Sequence, residues 1–302
     1  MKTTSQHPGK WPTVAVVVPV YNEADTLSDC LSSLIALDYP GDHLEYLFID
    51  NNSTDQSLAI LQKENKCIRI LQETTRGAGA ARNRAIKSTQ AKIIAFTDAD
   101  CFVDPKWLKA LVTPLLGDPD KTASGGRILS KVPCNYIERF GEKIHDHRKA
   151  IEKYKPPYLI TMNMAVSRQS LLDVGLFDET LLRGQDSDLA FRLWKAGLRF
   201  SYVKEAVVFH HNQNSLSGLF AEGYKHGYWG VRLIRKHRHS TFRSRKKSLL
   251  GGSPRIYPLL HTFLANSLRG RALAKTELCD LIFRSGKKFG MVRSILSDKM
   301  GI

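Results

Sequence analysis

The first part of the chain alternates short apolar runs with segments of helical character. Apolar runs occupy residues 14–20, 44–49, 68–71 and 93–96, and a polar loop and a helical segment follow each of them. Strands that are buried on both faces are continuously apolar, so this alternation predicts four strand–helix units. Such units form an α/β fold with a Rossmann-type, mostly parallel sheet flanked by helices. Pro19 is expected to end the first strand.

The regular alternation stops after residue 104. The pattern then predicts helices at 105–116, 136–154 and 218–234, strands at 121–128, 159–166 and 200–209, and a further helix that opens near Gly184. We therefore expect one main domain at residues 12–230, with a first part at 12–117 and a second part at 118–230. A flexible N-terminus at 1–11 would precede it, and a partly amphipathic helical extension at 231–302 would follow it.

Two carboxylates, Asp98 and Asp100, come directly after the fourth apolar run. Ligands of open α/β sheets bind in the crevice at the carboxyl ends of the strands, and oxygen ligands suit a hard divalent cation. The pair therefore indicates a site for a cation and a diphosphate. The same residues would also serve as turn formers before Pro105 or as caps of the next helix, and D-x-D alone does not decide between these interpretations.

A second acidic cluster, Gly184 to Asp188, opens a predicted helix. Asp186 is a candidate general base, although a carboxylate at a helix N-terminus is also favoured by the helix dipole alone. His210 follows the last predicted strand, where a histidine is either a structural residue or a metal ligand.

The net charge of +16 is concentrated at one end of the 302-residue chain. Residues 1–230 carry 28 Lys and Arg against 26 Asp and Glu, whereas residues 231–302 carry 17 against 3. Such a basic extension favours an anionic partner, either membrane phospholipid or nucleic acid. Five scattered cysteines without C-x-x-C spacing argue against a zinc site and a disulfide framework.

The chain has neither a signal peptide nor an apolar run of about 20 residues, so we expect a cytoplasmic protein. Residues 259–268 carry apolar side chains at helical spacing, which suits a helix that either lies on a membrane or packs against the body of the protein.

Six short motifs in this order resemble the family 2 inverting glycosyltransferases of GT-A fold. They are Val18-Pro19-Val20-Tyr21-Asn22-Glu23, Ile49-Asp50-Asn51-Asn52-Ser53-Thr54-Asp55, Gly79-Ala80-Ala81-Arg82-Asn83, Thr97-Asp98-Ala99-Asp100-Cys101, Gly175-Leu176-Phe177-Asp178-Glu179 and Gly184-Gln185-Asp186-Ser187-Asp188-Leu189. The resemblance covers roughly residues 12–230 and implies a GT-A-like fold.

The resemblance also implies the residues that bind the nucleotide sugar. Pro19, Tyr21, Glu23 and Asp50 would line the nucleoside pocket, with Asp50 on the base. Arg82 would lie near the nucleotide.

For the chemistry, the resemblance implies that Asp98 contacts the ribose or the metal. Asp100 would ligate Mg²⁺ or Mn²⁺, with His210 near the metal and the diphosphate. Asp186 matches the catalytic base of the family.

On the acceptor side we expect Asn163, Gln185 and Asp188. The family usually has Glu-Asp where this chain has Gln185-Asp186. This departure leaves the base in place and puts the acceptor contacts, more than the chemistry, in question.

The expected reaction is the inverting transfer of a sugar from a nucleoside diphosphate, UDP first among the candidates, to a glycan or lipid-linked acceptor. The basic extension 231–302 would hold the enzyme on the inner face of the plasma membrane, and no nucleic acid is expected to bind. One alternative is a non-catalytic nucleotide- or nucleic-acid-binding protein on a retained scaffold. Another is a sugar nucleotidyltransferase, although Tyr21-Asn22-Glu23 replaces a glycine-rich phosphate loop.

Overall fold

The structure, a computed structural model, describes residues 11–63, 67–132, 134–237 and 273–299. The flexible N-terminus expected at 1–11 lies outside this range except for its last residue, and the apolar segment 259–268 lies wholly outside it. The chain forms two compact units. We call the first the sheet unit; it comprises the chain up to Arg127, His147–Leu176 and Ala190–Val208. The second, the helical unit, comprises Ile128–Asp146, Phe177–Leu189 and the chain from Phe209 onward.

Eight strands form one sheet, and the last residues of two of them run into the helical unit. The strands are β1 (Val14–Val20), β2 (Leu44–Asp50), β3 (Arg69–Gln72), β4 (Ile93–Phe96), β5 (Cys101–Val103), β6 (Thr122–Ser130), β7 (Met164–Ser167) and β8 (Arg199–His210). Their order is β3-β2-β1-β4-β7-β6-β8-β5. The first four are parallel, as the alternation predicts, whereas β7 is antiparallel to both β4 and β6. The sheet is therefore mixed.

The apolar β1 lies between β2 and β4, at the centre of the parallel part. Contrary to expectation, Pro19 does not end this strand: Pro19 pairs in register with Ile49, and Val20 pairs with Asp50. A proline removes only one ladder hydrogen bond, so the remaining bonds carry the strand one residue further.

Helices surround the strands in chain order. They are α1 (Leu27–Ile35), α2 (Ser57–Lys63), α3 (Ala78–Ser88), α4 (Trp107–Val112), α5 (Tyr136–Ile144), α6 (His147–Glu152), α7 (Arg168–Asp173), α8 (Gln185–Lys195), α9 (Leu216–Lys236) and α10 (Leu273–Lys299). The expected α/β class with a helical C-terminal extension is confirmed.

Two of the predicted elements were wrong. The helix expected at 136–154 is divided into α5 and α6, which belong to different units. His147 explains the division, because its ring is buried in the sheet unit, where Nε2 accepts a hydrogen bond from the Ile160 backbone and Nδ1 bonds the Gly126 carbonyl. The strand expected at 159–166 is a 3₁₀ turn, Thr161–Asn163, followed by the short β7.

In the helical unit, α9 and α10 pack at glycines that lie on both helices. A Cβ atom at Gly223 or Gly227 would overlap the backbone carbonyl of Phe283 or Lys287. The relation is reciprocal, since a Cβ atom at Gly286 or Gly290 of α10 would overlap carbonyls of α9. Such close backbone approach requires glycine. The domain boundary expected at residue 230 falls inside α9.

Within the described ranges, no helix has both the length and the apolar content needed to cross a bilayer.

Candidate active site

The polar residues expected at the ends of the parallel strands lie at one edge of the sheet unit. In the register of β1 and β2, Val20 pairs with Asp50, so the loops that follow these strands begin side by side. Asp50 is buried and accepts a hydrogen bond from the Ser53 amide, at 3.3 Å. Tyr21 is 51 % exposed, so its ring is accessible for stacking on a ligand.

The loops after β1 and β2 are hydrogen-bonded to each other. The Asn22 side chain accepts from the Thr54 amide at 2.7 Å, and the Glu23 amide donates to the Ser57 hydroxyl at 2.9 Å. Asn22 adopts a positive φ of 56°, a conformation that asparagine tolerates better than most residues. The two loops therefore form one rigid wall of the crevice.

Asn51 extends this wall to the loop before α3. Its Nδ2 donates to the carbonyls of Glu73 and Thr75, and its Oδ1 accepts from the Gly77 amide at 2.8 Å. The motif around Asn51 could be recognised in the sequence, but its three partners are 22–26 residues away and could not. Asn51 acts as a support for the wall.

Arg82 of α3 reaches the carboxylate after β4. Its Nη2 lies 2.6 Å from Asp98 Oδ1, and the arginine side chain is only 4 % exposed. A buried guanidinium needs such a partner, because an unpaired charge in this environment is costly. The pair fixes the orientation of Asp98 and makes Asp98 a less suitable metal ligand than Asp100.

Asp100 offers the kind of ligand that a hard divalent cation prefers. Its Oδ1 accepts a weak hydrogen bond from the Cys101 thiol at 3.5 Å. Burial first, and then the negative charges of Asp100 and Asp98, raise the pKa of the Cys101 thiol well above its ordinary value. The residues fit Mg²⁺ or Mn²⁺ better than a soft metal.

His210 is the last residue of β8, the strand that neighbours β5 in the sheet order. Within the helical unit its Nδ1 bonds Asn212 Oδ1 at 2.7 Å, and its ring meets His145 edge-on at 5.2 Å between centroids. The role of His210 as a metal ligand stays a prediction.

Asp186 lies in the second residue position of α8, within a segment of the helical unit that we call the Asp186 loop (Phe177–Leu189). Gly184 precedes the helix with a φ of 77°, a conformation that favours glycine. Asp186 Oδ1 accepts from the Ser187 amide at 2.7 Å. Beside it, Gln185 Oε1 is buried without a hydrogen-bond partner among the described residues, and its expected acceptor-side role stays a prediction.

Charged side chains of α9 and of the residue after it hold the Asp186 loop. Glu222 pairs with Arg183 at 2.9 Å. Lys236 pairs with Asp178 and Asp188, at 2.5 and 2.7 Å. His237 Nε2 lies 2.8 Å from the same carboxylate of Asp188. The sequence analysis missed these residues because they are 39–58 positions from their partners and leave no local signal.

Two of the residues expected on the acceptor side are buried in the structure. Asn163 is fully buried in the sheet unit, where its Oδ1 accepts from Trp107 Nε1 and its Nδ2 donates to the carbonyls of Arg127 and Ala206. Asp188 is also fully buried, and bonds Lys236 and His237. Both side chains make structural contacts, and their acceptor-side roles stay predictions.

Comparison with known proteins identifies the family. The sequence profile of Glycosyl transferase family 2 matches residues 15–175, more than half of the chain. The matched range includes the strand-end residues from Pro19 to Asp100, whereas Asp186 lies beyond it.

Similar curated proteins include the glycosyltransferase AglE of Haloferax volcanii, 29 % identical over 207 residues, which are 66 % of this chain and 67 % of that protein. Another is the beta-monoglucosyldiacylglycerol synthase of Synechocystis, 31 % identical over 229 residues, or 68 % of this chain and 47 % of that protein. The chain thus spans about two thirds of the first relative and about half of the second.

Among solved structures, the mannosyltransferase PcManGT of Pyrobaculum calidifontis, in complex with GDP-Man and Mn²⁺, superposes with a TM-score of 0.67. The likeness covers 96 % of this chain and 88 % of that one at 21 % identity, and it supports the fold.

Proposed function

Because the chain belongs to glycosyl transferase family 2, we propose that it transfers a sugar from a nucleoside diphosphate to an acceptor hydroxyl with inversion of configuration. The enzyme class expected from the sequence, a glycosyltransferase, is thereby confirmed at the level of the family. The observation that carries the proposal is the acidic edge of the sheet unit, where Asp98, paired with Arg82 of α3, and Asp100 follow β4 inside the family match.

The proposed donor site is the wall formed by the loops after β1 and β2. Asp50 would accept hydrogen bonds from the base, and the exposed ring of Tyr21 would contact its face. Pro19 and Glu23 would line the same pocket. Asp98, oriented by Arg82, would accept a hydroxyl of the ribose through its second carboxylate oxygen. Because these loops are already hydrogen-bonded to each other, little ordering remains to be done on binding.

We assign Asp100 as the protein ligand of a divalent cation, with His210 as the second predicted ligand. When bound, Mg²⁺ or Mn²⁺ supplies Lewis-acid stabilisation of the negative charge on the departing diphosphate. These cations suit the site because Asp100 supplies carboxylate oxygens, the ligands that hard divalent cations prefer. The neighbouring mannosyltransferase structure contains Mn²⁺.

Asp186 is the proposed general base. Its carboxylate would take the proton from the acceptor hydroxyl as the oxygen bonds to the anomeric carbon. On the opposite side, the bond from that carbon to the diphosphate oxygen breaks, and the nucleoside diphosphate leaves with the bonding electrons. One displacement of this kind inverts the anomeric configuration.

We further propose UDP as the first donor nucleotide to test and a glycan or lipid-linked molecule as the acceptor. The name of the Synechocystis relative denotes a glycosylated diacylglycerol, which supports a lipid acceptor. A location on the inner face of the plasma membrane would bring the enzyme to such an acceptor. The net charge of the extension 231–302 supports this location.

The test combines binding and turnover. Thermal unfolding would be followed with UDP, GDP, CDP and dTDP, each with and without Mn²⁺. A ligand at a hundredfold excess over its Kd stabilises the protein by about 2.7 kcal/mol, which suffices to rank the four. The preferred nucleotide sugar would then be incubated with lipid extract, and nucleotide release would be measured.

We expect one nucleotide to be preferred, in a Mn²⁺-dependent manner, and its sugar to be transferred. Binding without transfer to any acceptor would favour a non-catalytic nucleotide-binding protein. Formation of a nucleotide sugar from a sugar phosphate would favour a nucleotidyltransferase.

A further inference from the structure

The α9–α10 pair presents one face of α10 in a fixed direction. The four glycines bring the two backbones into contact, so α10 cannot rotate about its axis without separating from α9. Gly286, Gly290 and Ser294 lie on the buried side of α10. The opposite side is therefore held outward.

This outward side is apolar in its last turns. Phe289 is 64 % exposed, and Val292, Ile295 and Leu296 are between 40 and 49 % exposed. At about 100° per residue, these four side chains occupy one continuous arc of the helix. Phe220 of α9 borders the arc, with its ring 6.0 Å from that of Phe289. We call this surface the α10 face.

Positive charge accompanies the α10 face. Lys288 and Arg293 are exposed next to these side chains on α10. Residues 281–297 contain four Lys and Arg and neither Asp nor Glu, and residues 238–272 contain eight and likewise neither acid. Exposed aromatic and aliphatic side chains between cations are the composition of helices that lie in a lipid interface.

We propose that the α10 face docks onto the surface of a bilayer that contains anionic lipid. Phe289, Val292 and Leu296 would enter the boundary between headgroups and acyl chains, while Lys288 and Arg293 would contact lipid phosphates. The α10 face would thus be the part of the protein that makes the membrane contact suggested above. It depends on neither the donor nor the transfer reaction.

The combination of exposed apolar and cationic side chains favours lipid over other occupants. A nucleic acid would match the cations but would leave the apolar arc in water. A second copy of the chain, joined through a two-fold axis, would match the apolar arc but would bring the cations of one copy, Lys288 and Arg293, close to those of the other.

The experiment is sedimentation of the full chain with vesicles of phosphatidylcholine, with and without phosphatidylglycerol. One variant, Phe289→Ser with Leu296→Ser, removes apolar contacts, and a second, Lys288→Glu with Arg293→Glu, reverses charge. The matched control, Lys92→Glu with Lys204→Glu, makes the same charge change at exposed positions of the sheet unit. Thermal unfolding and nucleotide binding would check that each variant is folded.

We expect binding to require phosphatidylglycerol, to fall roughly tenfold or more in both α10 variants, and to change little in the control. Equal binding by all variants, or an equal loss in the control, would overturn the assignment. If the wild-type chain does not bind vesicles but dimerises, and the Phe289→Ser, Leu296→Ser variant does not dimerise, the α10 face would be assigned to a second copy of the chain. Salt-sensitive binding to RNA in place of vesicles would also overturn it.

A second inference comes from the ion pairs of the Asp186 loop, and it rests on the proposed role of Asp186. Lys236 contacts both Asp178 and Asp188, near the two ends of the loop, while Glu222 contacts Arg183 near its middle. A cation shared by two carboxylates fixes the distance between them. We infer that Lys236 is a positioning residue that holds the loop in the geometry in which Asp186 works.

Lys236→Met would test this inference, with Lys236→Arg as the conservative variant and Lys225→Met as the control at an exposed position of α9. We expect kcat to fall about tenfold or more in Lys236→Met while KM for the donor is unchanged, and Lys236→Arg to restore most of the loss. Hydrogen exchange of residues 177–189 should rise in Lys236→Met, a result that stands whether or not sugar is transferred.

Unchanged exchange in these residues would overturn the positioning role. So would a fall in kcat that simply follows a fall in thermal stability. If exchange rises but no variant, including the wild type, transfers sugar, the proposed reaction fails while the structural part of the inference survives.

Discussion

The acidic edge of the sheet unit and the Asp186 loop carry the two halves of the proposed chemistry, but they are built differently. At the edge, parallel strands deliver Asp50, Asp98 and Asp100 to one side of the sheet, and the order of the chain is enough to place them. The Asp186 loop is held instead by ion pairs with α9 and the residue after it, 39 or more positions away. The positions of residues at strand ends can thus be predicted from the local sequence pattern. The conformation of the Asp186 loop depends instead on charged residues far away in the sequence.

The largest effect should come from the edge. Asp100→Ala is expected to lower turnover roughly a thousandfold, because the cation that would stabilise the departing diphosphate would lose its carboxylate ligand. Steady-state kinetics with Mn²⁺ would measure it, alongside the Mn²⁺-dependent part of the thermal shift with nucleotide. Asp25→Ala, an exposed carboxylate in the same unit, is the control. Full activity in Asp100→Ala would mean that Asp98-Ala99-Asp100 only forms a turn and that Asp100 does not bind a metal needed for transfer.

In the loop, Asp186→Asn should reduce kcat by a factor of about 10² to 10⁴, the usual range for a general base, and leave donor affinity unchanged. Kinetics and nucleotide titration would separate the two quantities. Since Asn also accepts a hydrogen bond at a helix N-terminus, the substitution preserves the local structure. A rate equal to that of the wild type would mean that Asp186 only stabilises α8.

The support of the loop can be weakened at a distance. Gly227→Val would force α9 and α10 apart, and we expect the free energy of unfolding of the helical unit to fall by about 3 kcal/mol. Gly230→Ala is the matched control, because a Cβ atom at Gly230 meets nothing within 4 Å. A helical Gly→Ala change of this kind should stabilise by about 0.5–1 kcal/mol. Equal effects of the two changes, measured by urea unfolding, would contradict the close packing.

Acid should weaken the same support. Burial raises the pKa of Glu222, but the hydrogen bond from His226 and the charge of Arg183 outweigh it and lower the pKa from 4.5 to about 2. Because the folded-state pKa lies below the unfolded one, the ionised carboxylate contributes stability above pH 4.5, and this contribution is lost as pH falls toward 2.

Glu222→Gln should therefore cost about 3 kcal/mol near neutral pH and less than half of that at about pH 3. Unfolding of wild type and variant at both pH values gives the comparison. A gap that does not depend on pH would show that the carboxylate is not ionised in this pair.

The sequence predicts the parallel strands, the fold class and the family because these follow from periodicity and from motifs next to strand ends. It does not show that Asn163 and Asp188 are buried, because polarity alone does not reveal burial. Both polar groups are fully enclosed, and the partners that make this possible, such as Trp107 and His237, are supplied by the tertiary structure. The break between α5 and α6 has the same origin, since the amphipathic pattern continues across residues that the fold assigns to two units.

The continuation of α9 past residue 230 matters to anyone who shortens the enzyme for purification. A protein that ends at Gly230 lacks the basic extension and, with it, Lys236 and His237, so we expect it to lose the proposed membrane contact and the ion pairs of the Asp186 loop together. Ending the chain at His237 retains the ion pairs but strips α10 from Gly223 and Gly227. Surface substitutions on the 302-residue chain are therefore the way to remove the proposed membrane contact while keeping the contacts that hold the Asp186 loop.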